Sequence, residues 1–305
     1  MQQLAKQPFF SVITPAWNQG AYLETCIRSV LEQGDPDFEH LIFDNCSTDG
    51  TAAVAARHPH VRFVSERDRG QSHAINKGFE AARGEVICWL NSDDAYPPGV
   101  FRRLRECFAD PSVDVVFGNA EQVGYDGTGN IVSEARFERR EDLVRWWSSA
   151  VRLHQPAVFF RRKVVGETGP LREDLHLTMD YEYWWRMSER HRFHFVPEVL
   201  AIQHRQPDSK TVQDWGGVYR EREKVFSPFY PLIDGGDRCR LLREKRISMS
   251  GRYLMEAYAA AIGSPRFAFR LMLRSFREWP LWIVEMRWPG VVRRIVAGMR
   301  KGARA

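Results

Sequence analysis

The sequence predicts an α/β fold: a mostly parallel sheet covered by helices on both faces, followed by a mostly helical C-terminal extension. Three observations lead there. Over the first 120 residues, short apolar runs alternate with segments of helical period. The connections between them are short and polar, as in repeated strand–helix–strand units. From about Asp214 the alternation gives way to helical patterns rich in arginine and aromatic residues.

The first strand is Phe9-Phe10-Ser11-Val12-Ile13-Thr14, an apolar run suited to burial on both faces. Leu23, Ile27, Val30 and Leu31 recur at helical spacing within Ala21 to Gln33. His40-Leu41-Ile42-Phe43 is a second strand, and Ser47-Thr48-Asp49 after it is helix-start chemistry with Asp49 as the N-cap. Val61 to Val64 is a third strand, Gln71 to Ala82 a helix, Glu85 to Leu90 a fourth strand and Val113 to Phe117 a fifth. Glu121 to Phe137 reads as a hairpin around Asp126-Gly127-Thr128-Gly129. Helices are expected over Glu141 to Ser149 and Asp180 to Arg190, with short strands near 157–161 and 193–202. These changes of pattern divide the chain into one domain over 1–212, with halves 1–120 and 121–212, and an extension over 213–305.

A content of 44% hydrophobic and 27% charged residues supports a sizeable core and excludes a mainly disordered chain. No apolar run is long enough for a transmembrane helix, and Met1 to Phe10 does not read as a secretion signal. Five scattered cysteines without a CxxC pair argue against a disulfide framework or a zinc site, so a reducing cytoplasm is expected. Charge is uneven. Residues 239–305 hold 15 Lys/Arg against 4 Asp/Glu, a net +11 that leaves the first 238 residues at −6. The tail, not the body, is the part suited to an anionic partner.

Sheets of this kind bind ligands at the carboxyl ends of their strands, so the informative turns follow residues 14, 43, 64 and 90. The last is Asn91-Ser92-Asp93-Asp94. Adjacent carboxylates repel unless a cation joins them. A divalent metal, magnesium or manganese, carrying a nucleotide diphosphate supplies one. Taken alone, the pair reads as a solvated acidic turn. Its company changes that reading. Thr14-Pro15-Ala16-Trp17-Asn18 follows the first strand and Asp44-Asn45-Cys46-Ser47-Thr48-Asp49-Gly50-Thr51 the second. Glu66-Arg67-Asp68-Arg69-Gly70-Gln71 follows the third and leads to Ala74-Ile75-Asn76-Lys77-Gly78. With these motifs in this order over about 85 residues, the chain resembles the family 2 glycosyltransferases of GT-A fold.

The resemblance implies a GT-A-like nucleotide-binding sheet and an inverting transferase that uses a nucleotide-diphosphate sugar, UDP first, with a divalent metal. It implies that Pro15 and Trp17 lie along the base, the plain alternative for Trp17 being a core aromatic. Asp44 would contact base or ribose. Asn45 would offer a hydrogen bond where the family often has a second Asp, and Asp68 would close around the nucleoside. Asn91-Ser92-Asp93 matches the family's D-x-D, with Asp93 as metal ligand and Asn91 in place of the usual acid.

An inverting enzyme also needs a base to take the acceptor's proton as the C1 bond breaks. Asp180, opening the predicted helix Asp180-Tyr181-Glu182, matches the family's catalytic carboxylate, with Met179 where a Glu is usual. Glu182 is the second choice of base, and a mere helix-start carboxylate is the alternative for Asp180. His154, in His154-Gln155-Pro156, matches the acceptor side, against the alternative of a structural histidine. His204-Arg205-Gln206 falls where relatives carry Arg-x-His near the diphosphate, in an altered order that weakens a metal role for His204; Arg205 or Lys210 would neutralise the diphosphate, against the equal alternative of solvated loop cations.

Two other classes stand beside this one. A non-catalytic nucleotide-sugar-binding scaffold draws on the departures at Asn91 and Met179. A nucleotidyltransferase would need a Gly-rich basic loop after the first strand, and Pro15 to Gly20 is not one. The absence of Gly-x-Gly-x-x-Gly and of a P-loop argues against dinucleotide enzymes and ATPases. The implied acceptor is a surface glycan or a lipid-linked glycan. The tail interleaves Arg with Phe, Trp and Leu over Phe267 to Arg277, Trp279 to Trp288 and Val291 to Lys301. That composition suits an interfacial helix on an anionic membrane surface, on the inner face of the cell membrane. The alternative is an ordinary helix packed on the body, and nucleic acid ranks last because the body is acidic and carries no nucleic-acid motif.

Overall fold

The computed structural model describes residues 7–124, 129–148, 151–206, 210, 214–232, 235–260 and 264–278. The predicted stretches Trp279 to Trp288 and Val291 to Lys301, and most of the hairpin tip at 126–129, lie outside them.

The first unit comprises Met1–Leu143 and Val151–Val225. Its elements run β1 (Phe10–Ala16), α1 (Leu23–Leu31), β2 (Phe38–Asp44), α2 (Thr51–Ala56), β3 (Val61–Ser65), α3 (Gln71–Ala81), β4 (Val86–Trp89), β5 (Asp94–Ala95) and α4 (Val100–Phe108). They continue with β6 (Val115–Gly124), β7 (Ile131–Ser133), α5 (Arg140–Val144), β8 (Val158–Arg161), α6 (Arg162–Thr168), α7 (Met179–Met187), β9 (Phe193–Arg205) and α8 (Trp215–Phe226).

The sheet order is β3-β2-β1-β4-β8-β6-β9-β5, with β7 paired to β6. From β3 to β4 all pairings are parallel. Beyond β4 the expectation of a mostly parallel sheet fails: β8 runs antiparallel to both β4 and β6, and β5 antiparallel to β9. The long strand β6 pairs in parallel with β9, with register shifts at Gly118 and Asn119. The expected helix over Glu141 to Ser149 is short, ending at Val144. The chain enters the second unit there, and Trp146 and Trp147 are buried in a turn.

Two hydrophobic clusters lie along one face of the parallel strands, where α1 contributes to both. Phe10, Val12, Val86 and Cys88 pack with Phe101, Leu104 and Phe159. Ala16 and Ile42 pack with Leu23, Ile27 and Val54. Helix α3 lies directly on β1 because Gly78 has no side chain: a Cβ there would stand 2.2 Å from Cγ2 of Ile13. The glycine of the Ala74–Gly78 motif is thus a packing requirement.

The second unit comprises Val144–Ala150 and Phe226–Ala305. Its described helices are α9 (Gly235–Ala260) and α10 (Pro265–Glu278). Leu254 and Ala257 of α9 pack on Ala268, Leu271 and Met272 of α10. The two helices approach closely at serines, where Ser250 and Ser275 each donate a hydroxyl hydrogen bond to the other's backbone carbonyl at 2.8 Å. Arg145 pairs with Glu244, and the ring of Trp147 meets Tyr230 edge-on. Among the described residues no helix is long and apolar enough to cross a membrane.

Candidate active site

The polar turns of the first unit meet at the carboxyl ends of β1 to β4, and each grips its neighbour. Asn18, held at a left-handed φ of 53°, accepts a hydrogen bond on Oδ1 from the Thr48 N–H at 2.9 Å and donates its own N–H to Ser47 Oγ at 2.7 Å. Gly20 N–H reaches Asp49 Oδ2 at 2.9 Å. The N-cap slot of α2 belongs to Gly50, not Asp49. Asp49, one residue earlier, still satisfies that helix end by accepting from Thr51 N–H at 2.9 Å. In the third turn Asp68 N–H donates to Asn45 Oδ1 at 2.9 Å, and Gly70 N–H, at φ 120°, to Asp68 Oδ1 at 2.8 Å. Asn76 exchanges two hydrogen bonds with the backbone of Leu171, at 2.8 and 3.0 Å, and so ties α3 to the segment that precedes α7.

These turns bound a cleft of about 880 Å³. Pro15, Trp17, Asn45, Asp68, Asn91, Ser92, Asp93 and Asp180 all line it. Trp17 is 63% exposed, a large ring presented to solvent and not a core aromatic. Three other candidates do not line it. Asp44 is buried, and its carboxylate is consumed by Ser47 N–H at 3.0 Å, by the Ser47 hydroxyl and by Ser65 Oγ at 2.6 Å. Glu182 is buried in a two-fold ion pair with Arg186, at 2.8 and 3.0 Å. His154 is buried, with Nδ1 3.1 Å from Gln203 Oε1 and a pKa lowered chiefly by burial.

At the fourth turn Asp94 is buried beside Asp93, and burial and then the charge of Asp93 push its carboxyl well above the usual range. The ring of His204, on β9, adjoins the pair: its Nδ1 lies 2.8 Å from the carbonyl oxygen of Asp93. A carbonyl only accepts, so Nδ1 carries a proton, and in the neutral ring the lone pair is on Nε2. Metal-bound histidines are fixed in this way by a hydrogen bond from the other nitrogen. Among the described residues no three His, Cys, Asp or Glu side chains form a closed metal site. A cation here would need oxygens from its ligand.

Asn91 is built into a network. Its Oδ1 accepts from Trp89 Nε1 at 3.1 Å and from Gln71 Nε2 at 2.9 Å, while its Nδ2 donates to Gln155 Oε1 at 2.9 Å. Gln155 Nε2 donates to the Trp89 carbonyl at 2.7 Å. The indole N–H can only donate, which fixes the orientation of the amide.

Asp180 lies in the first turn of α7 and is half-buried. Desolvation raises its carboxyl pKa, while the Arg222 charge and backbone N–H groups of the helix start draw it back. The approach to Asp180 is held from α8. Glu221 accepts the backbone N–H of His176 at 2.8 Å and of Leu177 at 2.7 Å. Next to it, the Arg222 guanidinium stands 4.1 Å from the ring centroid of Tyr181. Sequence reasoning missed Glu221, Arg222 and Gln155. The first two lie about 40 residues from Asp180 with no pattern linking them, whereas Gln155 is the immediate neighbour of the candidate His154.

A sheet of this order, with acidic, amide-rich turns meeting at its strand ends, defines the GT-A class of fold. The chain belongs to Glycosyl transferase family 2, whose sequence model matches residues 11–169. It is 30% identical over 225 residues to an uncharacterized protein of Mycobacterium tuberculosis, covering 68% of this chain and 70% of that one. It is 33% identical over 142 residues to the succinoglycan biosynthesis protein ExoO of Rhizobium meliloti, covering 45% of this chain and 41% of that one. Staphylococcus aureus TarS in complex with UDP-GlcNAc superposes with a TM-score of 0.55 at 15% identity, over 95% of this chain and 79% of that one. The mannosyltransferase PcManGT of Pyrobaculum calidifontis, in complex with GDP-Man and Mn²⁺, gives 0.51 at 19% identity, over 99% and 76%. At these identities the two structures attest the fold.

Proposed function

We propose that this protein is an inverting glycosyltransferase that moves a sugar from a nucleotide-diphosphate sugar, with UDP as the nucleotide, to a glycan or lipid-linked glycan. Residues 1–212 are the transferase domain of this reading. What supports it most is the single cleft shared by Trp17, Asn45, Asp68, Asp93 and Asp180. The exposed Trp17 ring offers a face for the base, with Asn45 and Asp68 beside the nucleoside. Asp44 acts one step back, by holding Ser47 and Ser65. Asp93 and Nε2 of His204 fit a divalent ion, magnesium or manganese, because a carboxylate and a tautomer-fixed imidazole that line one cleft are donors such ions take. When bound, that ion offsets the charge of the departing diphosphate. Asp180 takes the proton of the acceptor hydroxyl as that oxygen bonds to C1. The bond from C1 to the diphosphate breaks, its electron pair leaves with the phosphate oxygen, and C1 inverts. Its raised pKa suits a base better than an ordinary aspartate.

The UDP-GlcNAc of TarS and the Mn²⁺ of PcManGT support the choice of donor and metal, and the role named for ExoO supports a polysaccharide product. Attachment to an anionic membrane surface through residues 239–305 belongs to the same reading. A thermal-shift screen of UDP- and GDP-sugars, with and without manganese, tests it, because a ligand that binds only the native state raises the melting temperature. We expect stabilisation by a UDP-sugar that manganese strengthens, followed by transfer with inverted anomeric configuration. No stabilisation by any nucleotide sugar would overturn the reading. Stabilisation without turnover on any glycan would favour a scaffold.

A further inference from the structure

Helix α10 packs on α9 through Ala268, Leu271, Met272 and Ser275, a stripe at i, i+3, i+4 and i+7. The side turned away from that stripe is unusual for a helix that needs only to be soluble. Arg266, Arg270, Arg274 and Arg277 are all exposed and form an outward ridge at i, i+4, i+8 and i+11. Phe269 and Leu273, 42% and 50% exposed, flank the ridge on one side, and Phe267, 52% exposed, flanks it on the other. Glu278, at the helix end, is the only acid in the element.

We propose that this face of α10 docks on an anionic lipid bilayer, with the four arginines against phosphate headgroups and Phe267, Phe269 and Leu273 at the acyl boundary. Charge selects the occupant. A second copy of the same face would set four arginines against four. The chain's own residues 279–305 carry six Lys/Arg and one Glu, so their charge also opposes covering the ridge. A nucleic acid backbone would satisfy the arginines, but it has no use for apolar side chains on both flanks. Basic residues interleaved with Phe and Leu on an amphipathic helix match the interface of an anionic membrane. The proposal rests on the transferase reading only for its purpose, which is to bring the cleft to a lipid-linked acceptor. Its physical basis is independent of that chemistry.

The test is co-sedimentation of the full chain with phosphatidylcholine vesicles, with and without phosphatidylglycerol, run beside the nucleotide-sugar thermal shift. Wild type should partition to the anionic vesicles and release with salt. Replacing all four arginines (Arg266→Gln, Arg270→Gln, Arg274→Gln, Arg277→Gln) should weaken partitioning by on the order of a hundredfold or more. The variant Phe267→Ser, Phe269→Ser, Leu273→Ser should weaken it by about tenfold or more and keep the melting temperature, since these side chains are exposed. Equal binding to neutral vesicles, or undiminished binding by either variant, would overturn the proposal. So would a change of oligomeric state in the serine variant, which would mark the face as a contact between copies. Retention on duplex DNA without vesicle binding would overturn it in favour of nucleic acid. Failure of nucleotide sugars to stabilise any of the proteins would defeat the transferase reading and leave the lipid result standing.

Discussion

The Glu221 carboxylate is the most direct test of how the cleft holds Asp180, the proposed base. It accepts two consecutive backbone N–H groups, from His176 and Leu177, three and four residues ahead of Asp180. Hydrogen bonds to a charged acceptor contribute about 1.5–3 kcal/mol each when water cannot replace them. Here His176 is exposed and Leu177 half-buried, so water recovers much of that, and Glu221→Ala should cost about 1–2 kcal/mol of order in the segment. If that order matters only while Asp180 is aligned, kcat should fall by about 5- to 30-fold, at 1.4 kcal/mol per factor of ten. The residues that line the nucleotide end of the cleft do not touch Glu221, so the UDP Kd should stay within about twofold of wild type. Glu221→Gln keeps one accepting oxygen and turns an NH₂ toward the other N–H, so it should fall between the two. Steady-state kinetics with the sugar donor selected by thermal shift, together with calorimetry for UDP, measures both quantities. A normal kcat in a folded Glu221→Ala protein would refute the argument, as would a loss of UDP affinity that matched the loss of kcat.

Four further outcomes are expected. Asp93→Ala should abolish the manganese-dependent part of UDP binding while leaving the melting temperature of the free protein unchanged or higher, because it relieves the repulsion on Asp94; unchanged manganese-dependent affinity would remove Asp93 from the role of ligand. Asp180→Asn should preserve donor binding and lower turnover by about 10²–10⁴-fold, the usual worth of a general base, and normal turnover with a dead Glu182→Gln would reverse the assignment. The base must be deprotonated to act, so activity should fall as pH drops through the Asp180 pKa, a limb above the ordinary aspartate range. Arg222→Met removes the nearby positive charge that lowers that pKa, so the acid limb should move to higher pH; a downward shift or none would show that Arg222 does not act on Asp180. Asn91→Asp replaces the group that donates to Gln155 Oε1 with one that can only accept, which should cost about 1–3 kcal/mol of stability, read as a lowered melting temperature.

The parts of this site that the sequence made legible are local ones. Each of the four turns is a strand end followed at once by its polar residues, so a reading of β1 to β4 located Trp17, Asn45, Asp68 and Asp93 without knowledge of the fold. Strand direction is not written in an apolar run, which is why the antiparallel entry of β8 between β4 and β6 could not be read. Nor could the difference between Asp44 and Asp93. Both are carboxylates at a strand end, but the hydroxyls of Ser47 and Ser65 converge on one of them and turn it into a clamp. The same limit applies to the departures from the family pattern. Asn91 looks like a weakened acid when read alone. In the fold it needs to accept from Trp89 and Gln71 and to donate to Gln155, and a carboxylate cannot do both. The change at 91 is therefore coupled to the glutamines at 71 and 155, and its meaning lies in a contact between residues 20 and 64 positions away in the chain. Asp93 and Asp94, which take no part in those amide bonds, remain the acidic pair of the cleft, so in the proposed reading a cation falls to Asp93 and His204, while the amide of Asn91 stays committed to Trp89, Gln71 and Gln155.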